Sequence, residues 1–197
     1  MAMVRGGNCR GRVPPLLALL MVWAIAGGSW TEQAHTQALT EYEAKAGVLY
    51  HFGGFVDWPA RAFTDTGNTF IIGVLGADPF GSVLGEVMEG KIIHEKPVMV
   101  KRFSRIEDAR SSHILFVSSS EASRLPGLLQ ALDGTSVLTV SELDRFAERG
   151  GMVALNMVGQ KVRFDINVHA TKRAGLKVSS QLLKLARIVH GTPGTEE

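Results

Sequence analysis

The sequence predicts an α/β protein: a single domain built on a mixed β-sheet flanked by α-helices, with a C-terminal β-hairpin and a closing helix. Three observations predict it. Apolar runs of strand length alternate with segments of helical period through the middle of the chain, from Thr69–Leu75 to Ser136–Val140. Two alternating segments, Met152–Val158 and Lys161–Val168, flank the turn pair Gly159-Gln160. The composition, 45% hydrophobic and 20% charged over 197 residues, suits a chain that buries its own core. No internal repeat or low-complexity stretch interrupts it, so one domain suffices.

The elements follow in order. Met1–Arg12 carries Arg5, Arg10 and Arg12 without an acid, and Val13–Ala26 (VPPLLALLMVWAIA) is apolar and ends in Ala24-Ile25-Ala26. That is the charged, apolar and small-residue order of a secretory signal peptide, expected over 1–26 and cleaved. A membrane anchor would need about 20 apolar residues, more than this run supplies. Cleavage removes Cys9, the single cysteine, and three of 21 basic residues, leaving 18 against 19 acids. A chain so close to neutral lacks the Lys/Arg excess on which nucleic-acid binding rests, so that partner is excluded.

Residues 27–40 are polar and mixed, a loose mature N-terminus. From Glu41 a helix is expected, burying Val48, Phe52, Phe55 and Val56 at i, i+4, i+7 and i+8 and stopped by Trp58-Pro59. Its Gly53-Gly54 pair costs about 1 kcal/mol per glycine relative to alanine and implies a close approach or a kink. A strand over Thr69–Leu75 leads to a helix over Pro79–Met88 with Asp78 as N-cap. Lys91–His94 and Val98–Phe103 read as strands around a His94–Pro97 turn. His113–Val117 is a strand, Ser120–Leu132 a helix, Ser136–Val140 a strand, and Ser141–Arg149 a helix capped by Ser141 and ended by Gly150-Gly151. In the second hairpin strand Val162, Phe164, Ile166 and Val168 alternate with Lys161, Arg163, Asp165 and Asn167, so one face is buried and the other polar. The closing helix runs over Ser179–Val189 with Leu182, Leu185, Ala186 and Val189 on one face. Residues 191–197 form a tail.

The chemistry-bearing patterns are sparse. Gly76-Ala77-Asp78-Pro79-Phe80-Gly81-Ser82 has the glycine spacing of a phosphate-binding P-loop, but serine stands where the charge-neutralising lysine belongs. The glycines at 73, 76 and 81 do not match a dinucleotide fingerprint either, and Gly73 reads as close packing inside a strand. What survives is a strand-end loop whose Gly76 and Asp78, with Ser118 at the end of a later strand, form a candidate pocket rim. A phosphate-handling enzyme would rest on that loop alone. The histidines at 35, 51, 94, 113, 169 and 190 fall one to an element, and His94-Glu95 lacks the second histidine of a zinc motif because Val98 stands there. No metal and no cofactor is expected. Ser118-Ser119-Ser120 follows a strand and precedes a helix, which makes capping a better explanation than nucleophilic chemistry. No catalytic residue is assigned, since no nucleophile has a base and an orienting partner. Arg163 and Asn167 lie on one face of a strand with Asp165 between them: either a solvated face or a fork offered to an anionic group or partner. Trp58 and Tyr50 supply an aromatic wall or belong to the core.

The order KAGVLYHFGGFVDWP, FIIGVLGADPFG, SSHILFVSSSEASRL, VLTVSELDRFAERGGMVAL, VRFDINVHATKRAGLKVSSQLLKLARIV resembles the YfiR family over about residues 41–190. The resemblance implies a mixed sheet flanked by helices and a non-enzymatic periplasmic regulator. Such a protein forms a homodimer, binds the periplasmic sensor domain of a membrane diguanylate cyclase and restrains it, lowering cyclic di-GMP and biofilm formation. Contact with the membrane is through that partner. Better-known relatives carry cysteine pairs that tie regulation to redox state, and a chain without Cys9 excludes such a switch; Gly53-Gly54 also stands where bulkier residues are common. The surfaces expected to serve binding are the hairpin face with Arg163 and Asn167 and the Leu176–Leu185 region with Leu176 and Leu182, with Trp58 beside them. The alternative is a periplasmic module that binds a small-molecule ligand for another membrane receptor, with Gly76, Asp78 and Ser118 at its rim.

Overall fold

The structure is a computed structural model that describes residues 30–64 and 66–190. The expected signal peptide over 1–26 and the tail over 191–197 lie outside the described residues. The fold belongs to the unit that begins at Ala38. Helix α1 (Trp30–Phe55) leads into the two-residue strand β1 (Val56–Asp57), so helix already covers residues expected to be loose. A 3₁₀ turn (Ala60–Phe63) precedes β2 (Phe70–Leu75), α2 (Val83–Met88), β3 (Ile92–Ile93), β4 (Lys96–Phe103), α3 (Ile106–Ala109) and β5 (Ile114–Val117). Next come a 3₁₀ turn (Ser119–Glu121), α4 (Leu125–Ala131), β6 (Leu138–Ser141), β7 (Val153–Val158), β8 (Lys161–Asn167), α5 (Val168–Arg173), β9 (Lys177–Val178), α6 (Ser180–Leu185) and β10 (Arg187–Val189).

The main sheet has the order β10-β8-β7-β6-β5-β2-β4-β3. Strands β4, β2, β5, β6 and β7 are mutually parallel, β8 returns antiparallel to β7, and β10 lies parallel to β8. The mixed sheet expected from the sequence is therefore present. Strands β2, β5 and β6 are buried along their whole length, which explains why FIIGVL and ILFV read as continuous rather than alternating apolar runs, while the buried hydroxyls of Thr139 and Ser141 in LTVS are hydrogen-bonded to Met152 N and Val117 O. One face packs Phe70, Ile72, Val74, Phe116 and Val140 against Leu49 and Phe52 of α1, Leu84 of α2 and Leu182 of α6. The other packs Leu75, Leu115 and Val117 against Ala109 of α3, Leu125 of α4, and Phe146. Lys45, 3% exposed, ties α1 to the end of β6 through Glu142 at 2.6 Å, with Glu41 at 2.5 Å.

Several elements differ from the sequence expectation. The buried stripe of α1 is Ala46, Leu49, Phe52 and Gly53, whereas Phe55 is exposed. A Cβ on Gly53 would overlap Ile93 Cδ1, so this glycine admits a side chain rather than a backbone. Helix α2 begins at Val83, not Pro79: Asp78 Oδ1 accepts from Phe80 N at 2.8 Å in a local turn, and Gly81 at φ 55 interrupts the backbone. The expected helix over Ser120–Leu132 is split into a 3₁₀ turn and α4, and Ser118 caps the former, accepting from Ser120 N at 3.4 Å.

The expected helix over Ser141–Arg149 is absent. Ser141 closes β6, donating to Val117 O at 2.6 Å while accepting from Leu143 N, and Arg145 takes φ 52. Phe146 is drawn fully into the core, and its ring occupies the space a side chain on Gly151 would need. The hairpin is as expected: Val158 pairs with Lys161, and Gly159 has φ 61, as a type II′ turn requires at its first position. The closing helix stops at Leu185, which is exposed, because Ala186 is extended (ψ 151) and Arg187–Val189 pair in register with Asp165–Asn167. Helix α5 was not legible as a helix and starts at the Asn167 cap.

Candidate functional site

Two regions gather the residues that the sequence singled out. The first is the hairpin end of the sheet. On β8, Arg163 is exposed, whereas Asp165 and Asn167 on the same face are 8% and 3% exposed. Of the two readings offered for this face, solvated or a fork for a partner, Arg163 alone of the three keeps the exposure either needs, because β10 pairs beside the end of β8 and its Arg187 closes over Asp165. Arg187 of β10 forks onto Asp165, with Nε to Oδ1 at 2.8 Å and Nη2 to Oδ2 at 2.6 Å, while Asn156 Nδ2 donates to Oδ2 at 3.0 Å. The hydrogen bonds from Arg187 outweigh the opposing effect of burial and hold the Asp165 carboxyl below its ordinary value.

Asn167 works inward. Its side chain accepts from Ala170 N at 3.0 Å, capping α5, and donates to Ala147 O at 2.9 Å. Leu176 and Leu182 are 2% and 5% exposed and belong to the core under α1 and α6. Trp58 is also core: its ring meets Phe70 edge-on at 5.2 Å and its Nε1 donates to His113 O at 3.2 Å. The surface near these residues is instead made by Leu185 and Ile188, both exposed, and by exposed Val158 near the hairpin tip. Beyond β10 the sheet has no further paired strand among the described residues, so its backbone edge is open there. Nothing in the local pattern signals the Arg187–Asp165 fork, since 22 residues separate its partners.

The second region lies at the carboxyl ends of the parallel strands. From β2 the chain passes by α2 to β4 on one side, and then by α3 to β5 on the other. Helices α2 and α4, which follow β2 and β5, cover opposite faces. This is the topological switch point at which open α/β sheets form a ligand crevice. Gly76 and Ser118 are brought together there, with Ser118 N donating to Leu75 O at 3.0 Å and Gly76 N to Phe103 O at 3.0 Å. Asp78 turns away to accept from Arg102 Nε at 2.7 Å.

The crevice is filled by the chain itself. Ser120 Oγ accepts from Ala77 N at 3.0 Å, and Glu121, 4% exposed, holds its carboxylate beside Gly76 with Arg124 Nη2 at 2.5 Å. A Cβ at Gly76, whose φ is 88, would overlap Ser120 Oγ and stand 2.7 Å from Glu121 Oε1. The predicted rim thus encloses a buried carboxylate. Sequence alone did not reveal it, because an acid one turn past a serine cap looks like ordinary capping.

His113 is fully buried, stacked between Phe63 at 4.6 Å and Phe70 at 4.5 Å, and its Nδ1 accepts from Ile71 N at 2.9 Å. Burial pushes its pKa down to about 4, so the ring is neutral at pH 7 and carries its proton on Nε2. Nε2 has no partner at hydrogen-bond geometry, although the Ala62 carbonyl favours its proton. Among the described residues no group of acids, histidines or cysteines is arranged to hold a metal ion, and no helix is long and apolar enough to cross a membrane. Compared with known families, residues 42–187 match the YfiR/HmsC-like family.

Proposed function

The chain belongs to the YfiR/HmsC-like family, and from that premise we propose that it is a non-enzymatic periplasmic regulator that binds the sensor domain of a membrane diguanylate cyclase and restrains it. Regulation of this kind requires different affinities for the active and inactive states of the partner; equal binding to both would shift nothing. The observation that carries the contact surface is the hairpin end of the sheet. An open strand edge at β10, exposed Leu185, Ile188 and Val158, and the exposed guanidinium of Arg163 lie on neighbouring elements. Apolar side chains with an arginine at a sheet edge suit a protein partner better than a small solute. Asn167 and Leu182 support this surface from beneath, whereas Trp58 packs against Phe70 and His113 at the middle of the sheet; a homodimer is part of the same reading.

The test is charge reversal at Arg163. Arg163→Glu should raise cellular cyclic di-GMP and biofilm formation while the protein remains folded and exported. Recovery of the cyclase with the parent protein from membranes, and its loss with the variant, provides the binding readout. An unchanged cyclic di-GMP level with stable, exported variant removes this surface from the mechanism.

A further inference from the structure

The opposite end of the sheet from the filled crevice holds open space. A cavity of about 200 Å³ lies between the 3₁₀ turn after β1, the turn joining α3 to β5, and the loop that enters β6. Its lining includes Arg61, Arg110, Thr66, Ser112, Thr135 and Ser136. The space exceeds several times the roughly 30 Å³ share of one water in the liquid, so it admits a small anion or the anionic head of a larger molecule.

A pair of guanidiniums, with no acid among the described lining residues, distinguishes this cavity from an ordinary polar surface. Arg61 is preset: Nε donates to Ser136 Oγ at 3.1 Å and Nη2 to Ala174 O at 3.4 Å. Gly175, at φ 76, makes room for it, since a Cβ there would stand 3.0 Å from Nη2. Arg110 is exposed just beyond the end of α3, has Glu107 one turn back as a charged neighbour, and makes no hydrogen bond among the described residues.

We propose that this cavity is a binding site for a small oxyanion, a phosphate or a carboxylate, taken by Arg110 and Arg61. Arg110 offers an unengaged planar fork and Arg61 the N–H groups left over from Ser136 and Ala174, so the lining is rich in donors and short of acceptors. The charge-neutralising lysine missing from the glycine loop has no counterpart to supply at the carboxyl ends, where Glu121 already sits. Anion chemistry is placed at the amino ends of β5 and β6 instead. The site does not depend on the identity of any protein partner.

Titration of the purified chain with inorganic phosphate, and separately with acetate at matched ionic strength, tests this by calorimetry and thermal shift. Saturable binding of either probe is expected, and the tighter one identifies the phosphoryl or the carboxylate source. Arg110→Gln should weaken it about tenfold or more, the range for a lost charge-assisted hydrogen bond, while Arg163→Gln should leave it unchanged. Arg110→Lys provides a second arm: it keeps the charge and loses the planar fork, so its affinity should fall between those of the parent and Arg110→Gln. Absence of saturable binding by both probes at millimolar concentration, or equal affinity in Arg110→Gln and Arg163→Gln, overturns the proposal.

Discussion

Replacing Asn167 separates a structural role from a recognition role at the hairpin. The side chain is 3% exposed and makes two hydrogen bonds, one accepted from Ala170 N and one donated to Ala147 O. Asn167→Ala removes the cap of α5, costing about 1 kcal/mol. It also leaves the carbonyl of Ala147, a residue 1% exposed, without that donor, at about 1–3 kcal/mol. The two together destabilise the protein by about 2–4 kcal/mol, or about 5–15 °C in Tm for a chain of this size. Asn167→Asp should recover the cap alone, since a carboxylate still accepts from Ala170 N but cannot donate to Ala147 O. Urea denaturation of the three proteins, with m unchanged, gives the ordering parent, Asp variant, Ala variant. An alanine variant within about 0.5 kcal/mol of the parent, the range of inert surface changes, would refute the inward role. Under the inward role, any rise in cyclic di-GMP in this variant tracks protein abundance, whereas Arg163→Glu acts at full abundance.

Gly73→Ala should cost about 1–3 kcal/mol by overpacking, because its Cβ would stand 2.5 Å from Ser112 Oγ and 2.8 Å from Phe103 Cε2. Adding Ser112→Ala should restore part of that loss in a double-mutant cycle, and strict additivity would exclude the contact. His113 makes stability sensitive to acid: its folded pKa, about 4 against an ordinary 6.5, lies below the unfolded value. Its contribution is therefore whole above about pH 6.5 and is lost as pH falls towards 4, on the order of 3 kcal/mol. Denaturation at both pH values should show a shallower dependence in His113→Gln, and an equal dependence would remove His113 as its source. Asp165, held below 3.8 by Arg187, keeps its contribution at neutral pH and loses it only as pH falls through its lowered folded value. Asp165→Asn should loosen β10, read as faster hydrogen exchange at Ile188 and Val189; unchanged exchange would show that backbone pairing alone holds the edge.

Local pattern in the chain determines a good deal. Continuous apolar runs mark β2 and β5 because a parallel strand covered on both faces has no polar side to alternate with. Gly159 marks the hairpin because only the turn chemistry of its own two residues is involved. Ser118 reads correctly as a cap for the same reason. The order of segments also suffices to recognise the family.

The departures are places where distant residues outvote local preference. Ser141–Arg149 has helical composition, but Phe146 must reach a core built by β5 and α4, and the backbone turns at Arg145 to let it. Arg187–Val189 has helical neighbours, yet pairing with β8 and the fork onto Asp165 draw it into the sheet. Asn167 looks like a surface residue until β10 and Ala147 enclose it. Glu121 closing the strand-end crevice beside Gly76, and the two arginines lining one cavity at the other end, join residues far apart along the chain. The sequence by itself therefore determined the central strands, which turn is the hairpin, and the family. Only the tertiary structure decided which polar groups face solvent and which end of the sheet is open, because burial depends on neighbours that no local period encodes.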